Sequence, residues 1–192
     1  MEKSISAYIE QRRTIKPDKY TGATLDDQVI REMLEAANWA PTHGYTEPWR
    51  FVVFTEDGKE ELIQMLHKLD VAENGENEVR YAKLRARVER SSHIIAIGMK
   101  RGENPKIPFI EEAQAVAAAV QNMWLVASGK GIGAYWSTGS VGYSKELTEA
   151  LGWNAENGDT AMGFLYVGEF KGEWPQGRRI SGYTDKVRWN RG

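Results

Sequence analysis

The sequence contains no cysteine and only three histidines, His43, His67 and His93. The first absence excludes disulfides, thiolate metal sites and thiol nucleophiles, and is compatible with a reducing compartment. The histidines show no ligand spacing, which argues against a metallohydrolase. No charge of one sign dominates. Lys+Arg number 25 and Asp+Glu 27, a net charge of -2, and the basic residues are scattered, so there is no bulk electrostatic case for nucleic acid. Long hydrophobic runs are missing too. The most apolar stretch, residues 113–126, carries Gln114 and Gln121 and is too short and too polar to span a bilayer. The opening Met1-Glu2-Lys3-Ser4-Ile5 lacks the apolar core of a signal peptide. Neither an internal repeat nor a low-complexity segment is found. What remains is 192 residues of ordinary globular composition, enough for one domain over 1–192 with its own core. A soluble cytoplasmic protein without nucleic-acid or membrane partners is expected.

The chain is organised around Asn38-Trp39-Ala40-Pro41-Thr42-His43-Gly44-Tyr45-Thr46-Glu47-Pro48-Trp49 and the apolar Phe51-Val52-Val53-Phe54 that follows. Pro41 pushes Ala40 out of the α region and ends a helix there, and Phe51 to Phe54 reads as a buried strand. The polar loop between them holds side chains that donate, accept and titrate between two fixed elements, a plausible binding position. On local grounds alone a structural turn with a polar face is the simpler account, and the rest of the chain weighs against it.

Ile5, Tyr8 and Ile9 predict a short first helix, followed by Arg12-Arg13-Thr14-Ile15-Lys16-Pro17. Pro17 keeps this segment extended, so Arg12, Thr14 and Lys16 project to one side. Two cations flanking a hydroxyl suit a phosphate or a developing anion; a solvated basic helix end complementing the dipole is the blander account. Thr24, with Asp27 three residues on, reads as the cap of a helix striped by Leu25, Val29, Met33 and Ala37. Leu62, Ile63, Leu66 and Leu69 predict another helix. The segment at about 70–90 is highly charged, broken at Asn74-Gly75, and reads as a solvated helix or a mobile, lid-like region.

Ile94 to Ile97 predicts a buried strand, with His93 at its start as a hydrogen-bonded structural residue. A helix from about Phe109 to Gly129, apolar on nearly all faces in its middle, should lie deep in the core or at the centre of a dimer. The glycines of Gly129-Lys130-Gly131-Ile132-Gly133 follow a helix instead of a strand, so they end that helix in a left-handed conformation instead of cradling a dinucleotide. Ala134-Tyr135-Trp136-Ser137-Thr138-Gly139 predicts a strand breaking into a hydroxyl-rich turn. Ser144 caps a short helix ended by Gly152, and residues 160–167 form a last strand. The tail, rich in Trp and Arg, is expected to dock.

Four pieces, Arg12-Arg13-Thr14-Ile15-Lys16, Trp39-Ala40-Pro41-Thr42-His43, Glu47-Pro48-Trp49-Arg50-Phe51 and Gly177-Arg178-Arg179, resemble in order and spacing the nitroreductase family of flavin enzymes. The Trp136-Ser137-Thr138-Gly139 turn and compact length are most similar to its small members. The resemblance implies an α+β fold with a mixed central sheet wrapped by helices, an intertwined homodimer, and FMN at the subunit interface. It implies that Arg12, Arg13, Thr14 and Lys16 contact the FMN phosphate, ribityl chain and pyrimidine edge. His43 and Glu47 would lie against the flavin of the other subunit. Trp136, Ser137 and Thr138 would border the ring, and Arg179, with Arg178 beside it, would meet the phosphate. Glu47 stands where the family commonly carries an amide; a carboxylate accepts from flavin N3–H but cannot donate to O2 or O4. The implied activity is NAD(P)H-dependent, with NADH or NADPH giving a hydride to flavin N5 and a nitroaromatic, quinone or similar small-molecule acceptor taking it in a ping-pong cycle. No catalytic side chain is required, since the cofactor carries the chemistry. Dehalogenation or dehydrogenation on the same flavin, and a non-catalytic flavin-binding protein, are the alternatives.

Overall fold

A computed structural model describes residues 4–191. Met1 to Lys3, part of the amino-terminal stretch weighed above as a leader, lie outside them, as does Gly192. The elements are α1 (Ile5–Gln11), α2 (Asp27–Asn38), β1 (Trp49–Phe54), α3 (Gly58–Asn74), α4 (Glu78–Arg90), β2 (His93–Met99), α5 (Phe109–Gly129), β3 (Ile132–Ser137), α6 (Lys145–Ala150) and β4 (Thr160–Glu169).

Alternation along the strands builds three layers. Successive side chains leave a strand on opposite faces, so Ile95, Ile97 and Met99 of β2 join Leu165 and Val167 of β4 in a core roofed by α2 and α5. Ile94 and Ala96 join Phe164 and Tyr166 in a second core closed by α3, α6 and the buried Val88 of α4. The long helix α5 buries Ala115, Val116, Ala119, Val120 and Met123, its small residues allowing the close approach of α2 and the sheet beneath.

The sheet order is β1-β2-β4-β3, and all three ladders are antiparallel. The helix-wrapped α+β arrangement is the one expected, but within this chain the sheet is not mixed. The reason lies in the connections. Helix α5 carries the chain from β2 to β3, which run parallel to each other, but β4 slots between them and separates the parallel pair. Strand β1 is at the edge, so only its ends, Trp49 and Phe54, are buried, against the expectation of a fully buried strand. A second correction concerns α2. Its cap is Asp26, which accepts from Gln28 N, and not Thr24; aspartate caps at least as well as threonine, and the backbone N–H of the intervening Leu25 is taken by Ser92 Oγ. The charged 72–90 stretch is helical on both sides of Gly75, with Asn77 capping α4 by accepting from Arg80 N. Gly131, with φ +72°, is the left-handed residue after α5. His93 is buried between Ser92 Oγ at 2.9 Å and Asp27 Oδ1 at 3.0 Å, the structural role expected.

Residues 12–20 run against the β3–β4 side of the sheet. Ile15 N donates to Ala134 O and Trp124 Nε1 to Arg13 O. The Tyr20 hydroxyl donates within 2.8 Å of Ile15 O and 3.0 Å of Tyr166 O. The Tyr20 ring lies over Gly133 and Gly168, which face each other across the β3–β4 ladder; a Cβ on either would strike the ring.

Candidate functional site

Three backbone anchors hold the Arg12–Lys16 segment straight, and alternation does the rest. Ile15 is buried, while Thr14 and Lys16 are exposed on the opposite side. The Arg12 guanidinium stacks on Trp124, 4.6 Å from the ring centroid. Its pKa is lowered, chiefly by burial and then by the like charges of Arg179 and Arg13. Arginines from both ends of the chain are therefore within Coulombic reach of each other, and among the described residues none of the three has a carboxylate partner in an ion pair. Such a cluster is complementary to a phosphate dianion.

The tail docks here by specific contacts. Trp174 Nε1 donates to Gln11 O, and Arg13 Nε donates to Pro175 O at 2.8 Å. Arg13 also reaches Glu10 O and Arg12 O through Nη1. Its side chain is thus engaged in holding the tail in place, which brings Arg178 and Arg179 to the neighbourhood of Arg12. The remainder of the tail leaves Ile180, Tyr183 and Trp189 exposed.

A cavity of about 220 Å³ opens where β3 breaks into its turn. Ser137, Thr138 and Gly139 form one wall, Phe164 and Tyr166 the floor, and α3 and α4 the far side. The turn folds tightly because Gly163 on β4 takes φ +88°; a Cβ there would lie 2.5 Å from Ser137 O. The His67 and Tyr81 rings pack with centroids 4.4 Å apart on the α3–α4 side, and Arg80 is tied to Asp70 at 2.8 Å. Next to it a second cavity, of about 400 Å³, is lined by Lys16, Lys83, Arg87, Arg90 and Tyr135, with Asp18 as its one acid. Lys83 and Arg87 border both spaces. Arg87 lies over the Tyr166 ring at 5.6 Å. An aromatic slot flanked by cations, with an arginine cluster at one end of the same extended segment, has the chemistry needed to hold a flat heteroaromatic ring bearing a phosphate.

The other expected residues are placed differently. Trp136 points to the opposite side of the sheet from Ser137, packs toward α5, and donates from Nε1 to Met162 O at 2.8 Å; it does not line the cavity. His43 sits in the 42–47 loop at the amino-terminal end of α5, with Nδ1 2.5 Å from Glu111 Oε2. The loop is closed by the Thr42 and Thr46 hydroxyls at 2.9 Å, and Tyr45 and Glu47 take positive φ values of 55° and 41°. Glu111 and Trp124 are thirteen residues apart on α5, about 20 Å along the helix axis. Within one chain, His43 and Glu47 are therefore not brought to Arg12. Arg87 escaped the sequence reading because the 72–90 stretch was read by its overall charge. The available signal was the spacing Lys83, Arg87, Arg90, which puts three cations on one helical face. Among the described residues, no group of three acidic or histidine side chains could hold a metal ion, and no helix is long and apolar enough to cross a membrane.

Comparison with known proteins gives a consistent answer. A sequence model described as Nitroreductase, the nitroreductase family, matches residues 9–169. The Bacillus subtilis (strain 168) protein named "Putative NAD(P)H nitroreductase YfhC" is 32% identical over 146 residues, covering 75% of this chain and 74% of its own. The crystal structure of a nitroreductase-like family protein from Bacillus cereus superimposes with a TM-score of 0.81 at 23% identity, over 100% of this chain and 98% of that one. A Desulfovibrio desulfuricans protein named "putative nitroreductase", solved in complex with FMN, gives a TM-score of 0.75 at 25% identity, over 99% and 98% of the two chains.

Proposed function

Since this chain belongs to the nitroreductase family, we propose that it is an FMN-dependent NAD(P)H oxidoreductase that reduces nitroaromatic, quinone or similar electrophilic acceptors. The observation that carries the proposal is the convergence of Arg12 and Arg179 from opposite ends of the chain on one unneutralised patch. Arg12 and Arg179 would hold the phosphate, with Arg13 fixing the tail that delivers Arg179. Thr14 would face the ribityl chain. Lys16 would place a cation at the pyrimidine edge, where negative charge collects on reduction. Ser137 and Thr138 would border the ring, and Trp136 would support their turn from behind through its bond to Met162 O.

When bound between Arg12, Arg179, Thr14, Lys16 and the Ser137-Thr138 turn, FMN would supply the redox chemistry, relaying a hydride equivalent from the nicotinamide to an acceptor using the same site in turn. The protein's part is to bind, orient and exclude water. No side chain needs to act as a nucleophile.

The homodimer belongs to this reading. His43 and Glu47 lie about 20 Å of helix from Arg12, so the loop reaches a flavin only if a second copy supplies it. Large apolar side chains are exposed near both ends of the long helix and along the tail, among them Ile5, Ile9, Tyr45, Ile110, Ile180 and Trp189, as a surface covered by another copy would require.

The test is spectroscopic. The purified protein is expected to be yellow, to sediment as a dimer, and to bleach with NADH or NADPH under anaerobic conditions, then recover colour on addition of a nitroaromatic or quinone. A colourless protein that cannot be reconstituted with FMN would overturn the proposal.

A further inference from the structure

Helix α4 presents a basic face that the flavin phosphate does not require. Lys83, Ala86, Arg87 and Arg90, spaced i, i+3, i+4, i+7, line the cavity they share with Lys16 and Tyr135. The cavity therefore meets four cations and a single acid, Asp18, whose backbone carbonyl accepts from Arg90 Nη1. Among the described residues none of these four cations is in an ion pair, although the neighbouring basic residues on α4 are: Arg80 with Asp70, and Arg85 with Glu60 and Glu89. Lys83 and Arg90 are exposed at the rim, and Arg87 is half-buried behind them. In a chain of net charge -2, a cavity with four cations and one acid costs self-repulsion and raises the local concentration of a polyanion.

FMN carries one phosphate, and the Arg12–Arg179 patch is complementary to it. Arg12 and Lys16 are four residues apart in extended chain, about 13 Å, so the α4 cations stand at the other end of the segment from that patch. The second polyanion in the reaction is the dinucleotide donor. NADH and NADPH share a pyrophosphate; only NADPH adds a terminal phosphate, which carries close to two charges at neutral pH and lies on the adenosine, away from the nicotinamide. A carboxylate-bearing acceptor would bring a single charge, poorly matched to four cations.

We propose that Lys83 and Arg90, backed by Arg87, bind the adenosine 2′-phosphate of the donor and make this enzyme select NADPH over NADH. The inference rests on the oxidoreductase reading above but adds a ligand subsite to it. It also implies an ionic-strength signature, because exposed cations are screened at salt concentrations that leave buried contacts intact.

The experiment uses the FMN-loaded enzyme and an Arg90→Gln variant, since Arg90 lines the second cavity and not the first. For the unaltered enzyme, kcat/KM is expected to favour NADPH at least tenfold. The variant is expected to raise KM for NADPH about tenfold, to leave KM for NADH within twofold, and to keep kcat and the flavin absorbance per protomer unchanged. Calorimetry supplies a readout independent of turnover. Adenosine 2′,5′-bisphosphate is expected to bind the unaltered protein more tightly than adenosine 5′-monophosphate, and to lose that advantage in the variant. Equal rises in KM for both donors would mean that the cations contact groups common to both, and would overturn the selectivity. Unchanged constants, or equal affinity of the two adenosine nucleotides for the unaltered protein, would overturn it as well. A protein that takes up no flavin removes the oxidoreductase reading on separate evidence, and the nucleotide titration still decides whether α4 recognises a 2′-phosphate.

Discussion

Replacing Arg12 with glutamine separates a binding role from a folding role. In the protein without ligand, Arg12 gains from stacking on Trp124 at 4.6 Å, a cation–π contact worth about 0.5–2 kcal/mol depending on exposure. It loses through burial and the like charges of Arg179 and Arg13, both of which lower its pKa. The two effects oppose each other, so the Arg12→Gln protein without FMN is expected to melt within about 4 °C of the parent, roughly 1 kcal/mol for a domain of this size. The balance changes once a phosphate arrives. Like-charge repulsion becomes attraction, and a charge-assisted hydrogen bond of about 1.5–3 kcal/mol is lost in the variant. At 1.4 kcal/mol per decade this weakens FMN binding about 10- to 150-fold. FMN fluorescence quenching gives the affinity, and differential scanning fluorimetry with and without FMN gives the two melting temperatures. Unchanged FMN affinity would show that the phosphate lies elsewhere. A fall of 10 °C or more in the ligand-free protein would show that Arg12 is a structural residue.

Other perturbations test the scaffold. Tyr20→Phe removes the hydroxyl that serves Ile15 O and Tyr166 O and is expected to cost about 1–3 kcal/mol, read as a lower thermal midpoint together with weaker FMN binding. Burial raises the Tyr20 pKa above that of a free tyrosine, with the Asp18 charge adding to the effect. Its contribution is therefore complete below about pH 10, the unfolded value, and is lost as pH rises further, so alkaline melts of parent and Tyr20→Phe should converge above that point. Gly163→Ala forces a side chain at φ +88° against Ser137 O; a loss of about 1–3 kcal/mol and reduced flavin occupancy are expected, measured by denaturant titration and absorbance. Asp70 has a pKa lowered chiefly by its hydrogen bond from Arg80. The stabilisation it gives is present above the ordinary aspartate value of about 3.9 and fades as pH falls through the lowered one. Acid titration followed by circular dichroism should show a smaller loss in Asp70→Asn than in the parent.

What could be read from the sequence was whatever a local pattern determines. The bounds of α5, the Ser144 cap of α6 and strand β2 followed from apolar runs flanked by proline, glycine or a capping hydroxyl, because those signals act over a few residues. Position within the sheet was not legible. The run Phe51 to Phe54 looks equally apolar at an edge or a centre, and nothing local announces that β4 separates β2 from β3. The convergence of Arg12 with Arg179 follows from family resemblance, since the 166 residues of intervening chain carry no spacing rule. Arg13 and Trp136 are instructive for the same reason: their residue types suit a ligand, but Pro175 O and Met162 O already occupy their donors. The α4 cations Lys83, Arg87 and Arg90 lie in plain view as a helical stripe, but the dense charge of the whole 72–90 stretch hides their common face.

The clasp of the Tyr20 ring over Gly133 and Gly168 has a mechanical consequence. Residues 12–20 behave as an arm fixed to a beam, with no hinge between them and the sheet. Whatever shifts the β3–β4 border carries Lys16 with it, whereas trimming or recutting α1 would leave the alignment of the arm untouched.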